Sequence, residues 1–198
     1  MMRRTDSRVV LAVLIFISMN ITACATYQAQ SPKTMASASS QASLYQPPKV
    51  EKPQPNYASR VPQSINSHGQ KVIVVDPRAH VWAAYGPDGN LIRAGLATAG
   101  AKYCPDIKRA CKTRAGTFRV NSLGSKSCKS SIYPLPKGGA PMPYCMFFNG
   151  NQGLHGSHYH AVIEGNVSHG CVRMRIQDAE WLRFNFARVG TKVIVKSY

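Results

Sequence analysis

Acidic residues are scarce in this chain, which has 8 Asp and Glu against 25 Lys and Arg and a formal net charge of +17. From His68 onward, 18 basic residues stand against 6 acidic ones, so this part carries +12. Such a surface attracts anionic partners through its electric field, whatever the fold. Nucleic acid is one such partner, but an exported chain rarely meets it. We therefore expect peptides with free carboxylates or anionic lipid head groups instead.

The chain also lacks an apolar run of about 20 residues, the length that a membrane-spanning helix requires. Its longest run, Val9 to Met19, has eleven residues and follows three arginines, which is typical of a signal peptide. The segment Ile21-Thr-Ala-Cys24 then resembles a bacterial lipobox, so residues 1–24 are predicted to be a lipoprotein signal peptide with Cys24 lipidated. Such a segment predicts export to the periplasm, and the resemblance implies that Ala25, in place of Asp after the cysteine, favours anchoring to the outer membrane. The alternatives are an ordinary signal peptide or a short anchor.

Large apolar residues are few between Ala25 and Asn66, where six prolines interrupt a composition of Gln, Ser and Ala. A segment of this kind cannot bury enough apolar surface to offset its ordering entropy. Residues 25–66 are therefore predicted to be a disordered tether, and residues 67–198 a folded domain.

The folded part contains short runs of β-branched and aromatic residues separated by turn-forming ones. Its late segment Gln177 to Val189 has an apolar stripe (Ile176, Ala179, Leu182, Phe186 and Val189) and is followed by Gly190, which predicts a helix. Many strands with one late helix predict a mostly-β domain. The predicted strands are Lys71–Asp76, Ala79–Tyr85, Leu91–Ala97, Gly116–Val120, Tyr144–Phe148 and Thr191–Lys196.

The most informative pattern is His155-Gly-Ser157 followed, thirteen residues after His155, by Ser168-His-Gly-Cys171. A free thiol is mostly protonated at neutral pH, and a nearby imidazole can both remove its proton and stabilise the thiolate. Gly170 allows close approach of the backbone to a substrate carbonyl, with adjacent amides as oxyanion donors. Cys171 is therefore predicted to be a nucleophile, although a buried structural cysteine is the alternative.

These residues resemble the signature of the L,D-transpeptidase (YkuD-type) catalytic domain, and the resemblance extends from Lys71 to the end. It implies a β-sandwich or barrel with the late helix packed on the sheet. It also implies that His155 is the base, its ring oriented by the carbonyl of Gly156. The rival base, His169, takes a supporting role beside an oxyanion hole formed by the amides of Gly170 and Cys171. The chain departs from the family at Arg114-Ala115, where a proline is usual.

Three residues are predicted to contact substrate. Arg173 occupies a position where the family has Arg or Asn, and its planar fork suits a carboxylate. Tyr144 is predicted to line the donor groove, although core packing is the default for its strand, and Ser168 lies beside the catalytic turn. The long segment Asn121 to Met142 is predicted to cover the substrate.

Two of the six cysteines, Cys24 and Cys171, are assigned to lipid and to catalysis. The other four, in an oxidising compartment, predict two disulfides with three possible connectivities. Sequence proximity favours Cys104 with Cys111 and Cys128 with Cys145, although some could stay reduced. The histidines near Cys171 could also bind zinc, but no Cys-x-x-Cys or His-Glu-x-x-His spacing is present. We therefore predict no metal and no cofactor.

The resemblance implies an enzyme acting on peptidoglycan stem peptides. Cys171 would form an acyl-enzyme with release of D-alanine, and carbapenem-type compounds would inhibit it. An amine from a second stem, or from a lipoprotein lysine, would resolve the acyl-enzyme, whereas water would make the protein an L,D-carboxypeptidase. The alternative is a wall-binding surface lipoprotein, since the cysteine-bearing insertions resemble those of enhanced-entry-type surface proteins.

Overall fold

The computed structural model describes residues 55–198, which fold into two β-sheets and one helix. The predicted signal peptide, Cys24 and most of the predicted tether lie outside these residues. The strands are β1 (Val72–Asp76), β2 (Val81–Tyr85), β3 (Leu91–Leu96), β4 (Gly116–Arg119), β5 (Ser122–Leu123), β6 (Met146–Asn149), β7 (Gln152–Ser157), β8 (Val172–Arg175) and β9 (Lys192–Val195). Helix α1 (Ile176–Trp181) continues as a π-helical turn over Leu182–Phe186, and short 3-10 helices cover Tyr57–Arg60, Pro105–Ile107 and Tyr159–Ala161. Within this part of the chain, no helix has the length and apolar character needed to span a bilayer.

The two sheets combine antiparallel and parallel pairing. One sheet has the order β3-β2-β1-β9-β4, and the other has the order β5-β6-β7-β8. Strand β9 runs parallel to β1, and β8 runs parallel to β7. The predicted mostly-β fold is therefore confirmed, with all six predicted strands present and their ends displaced by one or two residues. Strands β5, β7 and β8 were not predicted.

Strands β1 and β2 of the five-stranded sheet are buried on both faces. Successive side chains of a strand point to opposite faces, so each of these strands contributes to two clusters. In β1, Ile73 and Val75 enter the core between the sheets, whereas Val72 and Val74 enter a second cluster on the other face. Trp82, fully buried, fills the first core together with residues of β6, β7, β8 and the helix. Burial on both sides explains why β1 and β2 are continuous apolar runs rather than alternating ones.

The second cluster requires a correction to the predicted tether, because residues 55–66 pack on the domain. Tyr57 and Val61 are only 8% and 7% exposed, and both contact the outer face of the five-stranded sheet. The hydroxyl of Tyr85 donates a hydrogen bond to the carbonyl of Pro62 at 2.8 Å. Because the segment is mostly polar in composition, the burial of Tyr57 and Val61 was not predicted.

The predicted helix is also shorter than its apolar stripe indicated. The N–H of Ala187 bonds to the carbonyl of Leu182, five residues back, and the chain leaves the helix there in an extended conformation. This wider turn breaks the 3.6-residue period. Ala179, Leu182 and Phe186 are buried, whereas Val189, which follows the wider turn, is 65% exposed.

Candidate active site

Strands β7 and β8 bring the two halves of the sequence signature together. They pair in parallel, with His155 opposite Arg173, and Cys171 immediately precedes β8. Since side chains alternate along a strand, Cys171 and Arg173 lie on one face of this sheet. His155, Cys171 and Arg173 all line a single cavity of about 680 Å³. This volume is in the range of small-molecule binding sites.

His155 is buried, with 6% of its surface exposed, and its ring is oriented by the backbone. Its Nδ1 lies 2.9 Å from the carbonyl oxygen of Gly156 and 3.3 Å from the hydroxyl of Ser157. A carbonyl can only accept, so Nδ1 carries the proton and Nε2 has the free lone pair. Burial, and to a smaller extent the charge of Arg173, lowers the pKa of His155 to about 4. The imidazole is therefore neutral at pH 7 and available as a base.

Cys171 is the one free cysteine among the described residues. Burial raises the pKa of its thiol, while a hydrogen bond from the Gly153 backbone and the charge of Arg173 act in the opposite direction. In the structure, the sulfur lies 3.3 Å from the carbonyl oxygen of Asn151, as a thiol donor would. The raised pKa of the thiol and the lowered pKa of the imidazole both favour the neutral forms over a preformed ion pair.

The turn before Cys171 is held by its own side chains and by glycine. Gly170 has a φ of +121°, which residues with a Cβ rarely adopt. Its N–H donates to the hydroxyl of Ser168 at 3.1 Å, and that hydroxyl also bonds the carbonyl of Cys171. The Gly170 amide is therefore already occupied. Of the two predicted oxyanion donors, the Cys171 amide remains.

One of the predicted substrate contacts needs correction. Ser168 lines the cavity, although it is fully buried and both hydrogen bonds of its hydroxyl stay within the turn. Tyr144 is 5% exposed, belongs to the core and donates its hydroxyl hydrogen to Glu180 at 2.7 Å, outside the cavity lining. The default expectation of core packing was the right one for Tyr144, because its side chain points between the sheets.

Both favoured disulfides are present in the structure, Cys104–Cys111 and Cys128–Cys145. Each closes a loop that reaches the cavity, and the second pins the predicted covering segment. The first loop contributes Arg109, and the second contributes Lys129 and Tyr133. Among the described residues that line the cavity, none is acidic, so its charged walls suit an anionic ligand.

His169 lines the cavity and contacts both loops. Its Nε2 lies 2.7 Å from a carboxylate oxygen of Asp106 in the first loop. Its ring packs at a tilt against Tyr133 of the second loop, with the ring centroids 4.5 Å apart. Asp106 was not predicted from the sequence as a site residue. Its position between two bridged cysteines was the only available signal.

Metal-binding groups gather at one place in residues 55–198. Ligand atoms of Cys104, Asp106 and His169 lie within 4.8 Å of one another. Because the Cys104 sulfur is bonded to Cys111, it offers no thiolate, and two ligands remain. His158 and His160 are exposed.

Comparison with known proteins agrees with this arrangement. Residues 70–195 match the model of the YkuD family, the L,D-transpeptidase catalytic domain, and the chain belongs to this family. No curated protein matches the chain.

Solved L,D-transpeptidases share the fold at low sequence identity. The enzyme from Xylanimonas cellulosilytica is 24% identical, with a TM-score of 0.57, over 68% of this chain and 64% of its own. That from Mycobacterium smegmatis is 23% identical, with a TM-score of 0.51, over 65% and 59%. L,D-transpeptidase 3 of Mycobacterium tuberculosis, in complex with a faropenem-derived adduct, is 23% identical, with a TM-score of 0.52, over 64% and 60%. This chain therefore spans less than two thirds of the length of each.

Proposed function

We propose that this protein is an L,D-transpeptidase that uses Cys171 as nucleophile on peptidoglycan stem peptides. The observation that carries the proposal is the shared cavity of Cys171 and a neutral His155 whose Nδ1–H is fixed on Gly156. A locked tautomer leaves Nε2 to accept the thiol proton. Family membership supports the same reaction class.

The reaction has two steps. The thiol proton passes to His155 as the sulfur attacks the carbonyl between the third, L-centred residue and the terminal D-alanine. The tetrahedral oxyanion is stabilised by backbone amide donors, in which the Cys171 N–H takes part. The C–N bond then breaks, His155 returns the proton to the leaving D-alanine, and a thioester remains. An amine of a second stem, or of a lipoprotein, attacks the thioester and restores the thiol.

Acylation by a β-lactam tests the nucleophile, since the related Mycobacterium tuberculosis structure holds a faropenem-derived adduct. Intact mass spectrometry should show a single faropenem or carbapenem adduct on the wild-type protein and none on Cys171→Ala. His155→Ala should reduce turnover more than His169→Ala, because His169 faces Asp106. Normal labelling of Cys171→Ala would refute the nucleophile assignment, and the reverse histidine ranking would make His169 the base.

The reaction product distinguishes transfer of the acyl group to an amine from hydrolysis of the acyl-enzyme. With a tetrapeptide stem donor and a second stem as acceptor, mass spectrometry should show a cross-linked dimer. A tripeptide alone would indicate an L,D-carboxypeptidase. Binding of stem peptides without either product would indicate a wall-binding surface lipoprotein.

Arg173 is proposed to bind the donor carboxylate. Its guanidinium lies in the cavity wall beside Cys171. A charge-assisted bond of this kind contributes roughly 1.5–3 kcal/mol, which corresponds to a ten- to hundredfold effect. Arg173→Lys should lose most of this factor with a free-acid donor, and an amidated donor should be nearly insensitive. Equal losses with both donors would show that Arg173 acts on the thiol or the fold.

Export and lipid attachment at Cys24 are proposed from the lipobox-like segment. Cys24→Ser should move the protein from the detergent phase to the aqueous phase in Triton X-114 partitioning. Unchanged partitioning would contradict the lipid anchor.

A further inference from the structure

Thr113 is a buried polar residue whose hydroxyl is fully used within the active-site region. The residue is 1% exposed. Its Oγ1 accepts the N–H of Gly100 at 2.9 Å and donates to the carbonyl of Gly170 at 2.8 Å. Thr113 therefore links three separate segments of chain at the residue that precedes Cys171.

The Gly170 carbonyl shares one planar peptide unit with the N–H of Cys171. In a trans peptide these two groups point in opposite directions, so a hydrogen bond that fixes the carbonyl also fixes the N–H. Gly170 is the residue least able to fix them itself, because glycine rotates freely about its φ and ψ angles. With its own N–H held by Ser168 at 3.1 Å, the bond from Thr113 completes the restraint.

Thr113 is itself held by Tyr198. The backbone N–H of Thr113 donates to the Tyr198 hydroxyl at 2.8 Å, and that hydroxyl donates to the carbonyl of Gly100 at 2.7 Å. The Thr113 backbone and the Gly100 segment therefore keep a fixed spacing. The Thr113 hydroxyl needs this spacing in order to reach Gly170.

We propose that Thr113 is a positioning residue that orients the Gly170–Cys171 peptide so that the Cys171 N–H points to the developing oxyanion. The proposal rests on the function proposed above. Thr113 does not touch the substrate. It acts through a peptide group whose N–H is needed only when negative charge appears on the substrate oxygen, and the bond on the carbonyl side polarises this N–H further.

Two reactions of Cys171 distinguish an effect on the orientation of the Cys171 N–H from a general effect on the thiol. Acylation by faropenem passes through an oxyanion, whereas alkylation by iodoacetamide does not. Thr113→Val keeps the shape of the side chain and removes the hydroxyl. It should lower the saturating acylation rate constant by roughly 10- to 100-fold, somewhat less than removal of an oxyanion donor. Alkylation and its pH profile should stay within about twofold of wild type, since the thiol environment is unchanged.

Thr113→Ser retains the hydroxyl and should restore acylation to nearly the wild-type rate. The exposed Thr117→Val makes the same chemical change on β4 and should leave both reactions unchanged. Tyr198→Phe leaves Thr113 in place but removes its support. It should lower acylation selectively by a smaller factor, and it provides the test if Thr113→Val fails to fold.

Equal acylation of the wild type and Thr113→Val would overturn this proposal alone. A parallel fall in acylation and alkylation would also overturn it, because Thr113 would then act on the thiol or the fold. If Thr113→Val does not fold, unchanged acylation of Tyr198→Phe would overturn it. A wild-type protein that is alkylated but never acylated would contradict the proposed function and this proposal together.

Discussion

The burial of His155 links the candidate active site to the pH dependence of stability. Its imidazole titrates near 6.5 when exposed and at about 4 when folded. The unfolded chain therefore binds more protons between these values, and the free energy of unfolding falls as the pH falls from 6.5 to 4. The full difference corresponds to about 3 kcal/mol.

His155→Gln should remove this slope. Chemical denaturation between pH 7 and pH 4 measures the effect as a flatter dependence of the unfolding free energy on pH. Ser157→Ala is the control, because it removes a contact to Nδ1 but keeps the buried imidazole. A wild-type slope in His155→Gln would show that other groups carry the acid sensitivity.

The reactivity of Cys171 should depend on the neighbouring Arg173. The guanidinium lowers the pKa of a thiol whose burial raises it. Arg173→Gln should therefore shift the pH profile of iodoacetamide alkylation to higher pH. Arg175→Gln, two residues further along the same strand, is the matched control and should leave the profile unchanged. Identical profiles for Arg173→Gln and wild type would show that the Arg173 charge does not reach the sulfur.

At the scale of elements, the two disulfide-closed loops form much of the cavity wall. Their cysteines are 7 and 17 residues apart. A disulfide restricts the entropy of the unfolded chain. Removing the bridge of the shorter loop is therefore expected to lower the free energy of unfolding by about 2 kcal/mol, and removing that of the longer loop by about 3 kcal/mol. Double Cys→Ser variants of each bridge, compared by denaturation, test these values.

Loss of the Cys104–Cys111 bridge should also affect activity. Asp106 contacts His169 from within this loop, and Arg109 lines the cavity from the same loop. The double serine variant should therefore bind donor more weakly, measured as a higher KM with less change in kcat. An unchanged KM would indicate that the loop keeps its conformation without the bridge.

The motif residues of the candidate site were predicted from the sequence, but the strands β7 and β8 that carry them were not. The residue types at 155–157 and 168–171 predicted a nucleophile, and the family resemblance implied that His155 is its base. Strand β7 is rich in glycine and polar residues, and β8 alternates with arginines, so neither looked like a strand. Their parallel pairing joins residues distant in sequence, which no local pattern encodes. The same reason hid Asp106 and Thr113.

For the whole molecule, the ordered domain begins before the predicted boundary. A chain beginning at Ser67 lacks Tyr57 and Val61, which bury apolar surface against the five-stranded sheet. It should lose roughly 3 kcal/mol of stability relative to a chain beginning at Pro55. Thermal unfolding of the two chains provides the comparison, and equal midpoints would show that residues 55–66 contribute nothing.

The sequence by itself determined the mostly-β class, the positions of six strands and the favoured cysteine pairs, and it predicted Cys171 as the nucleophile. Each of these depends on residue types at short spacing, which local physical chemistry interprets directly. Only the tertiary structure decided that Tyr144 packs in the core, that the Ser168 hydroxyl bonds within its own turn, that His169 turns to Asp106, and that residues 55–66 cover the sheet. These facts depend on which surfaces meet, and contacts between distant segments are settled by the packing of the whole chain.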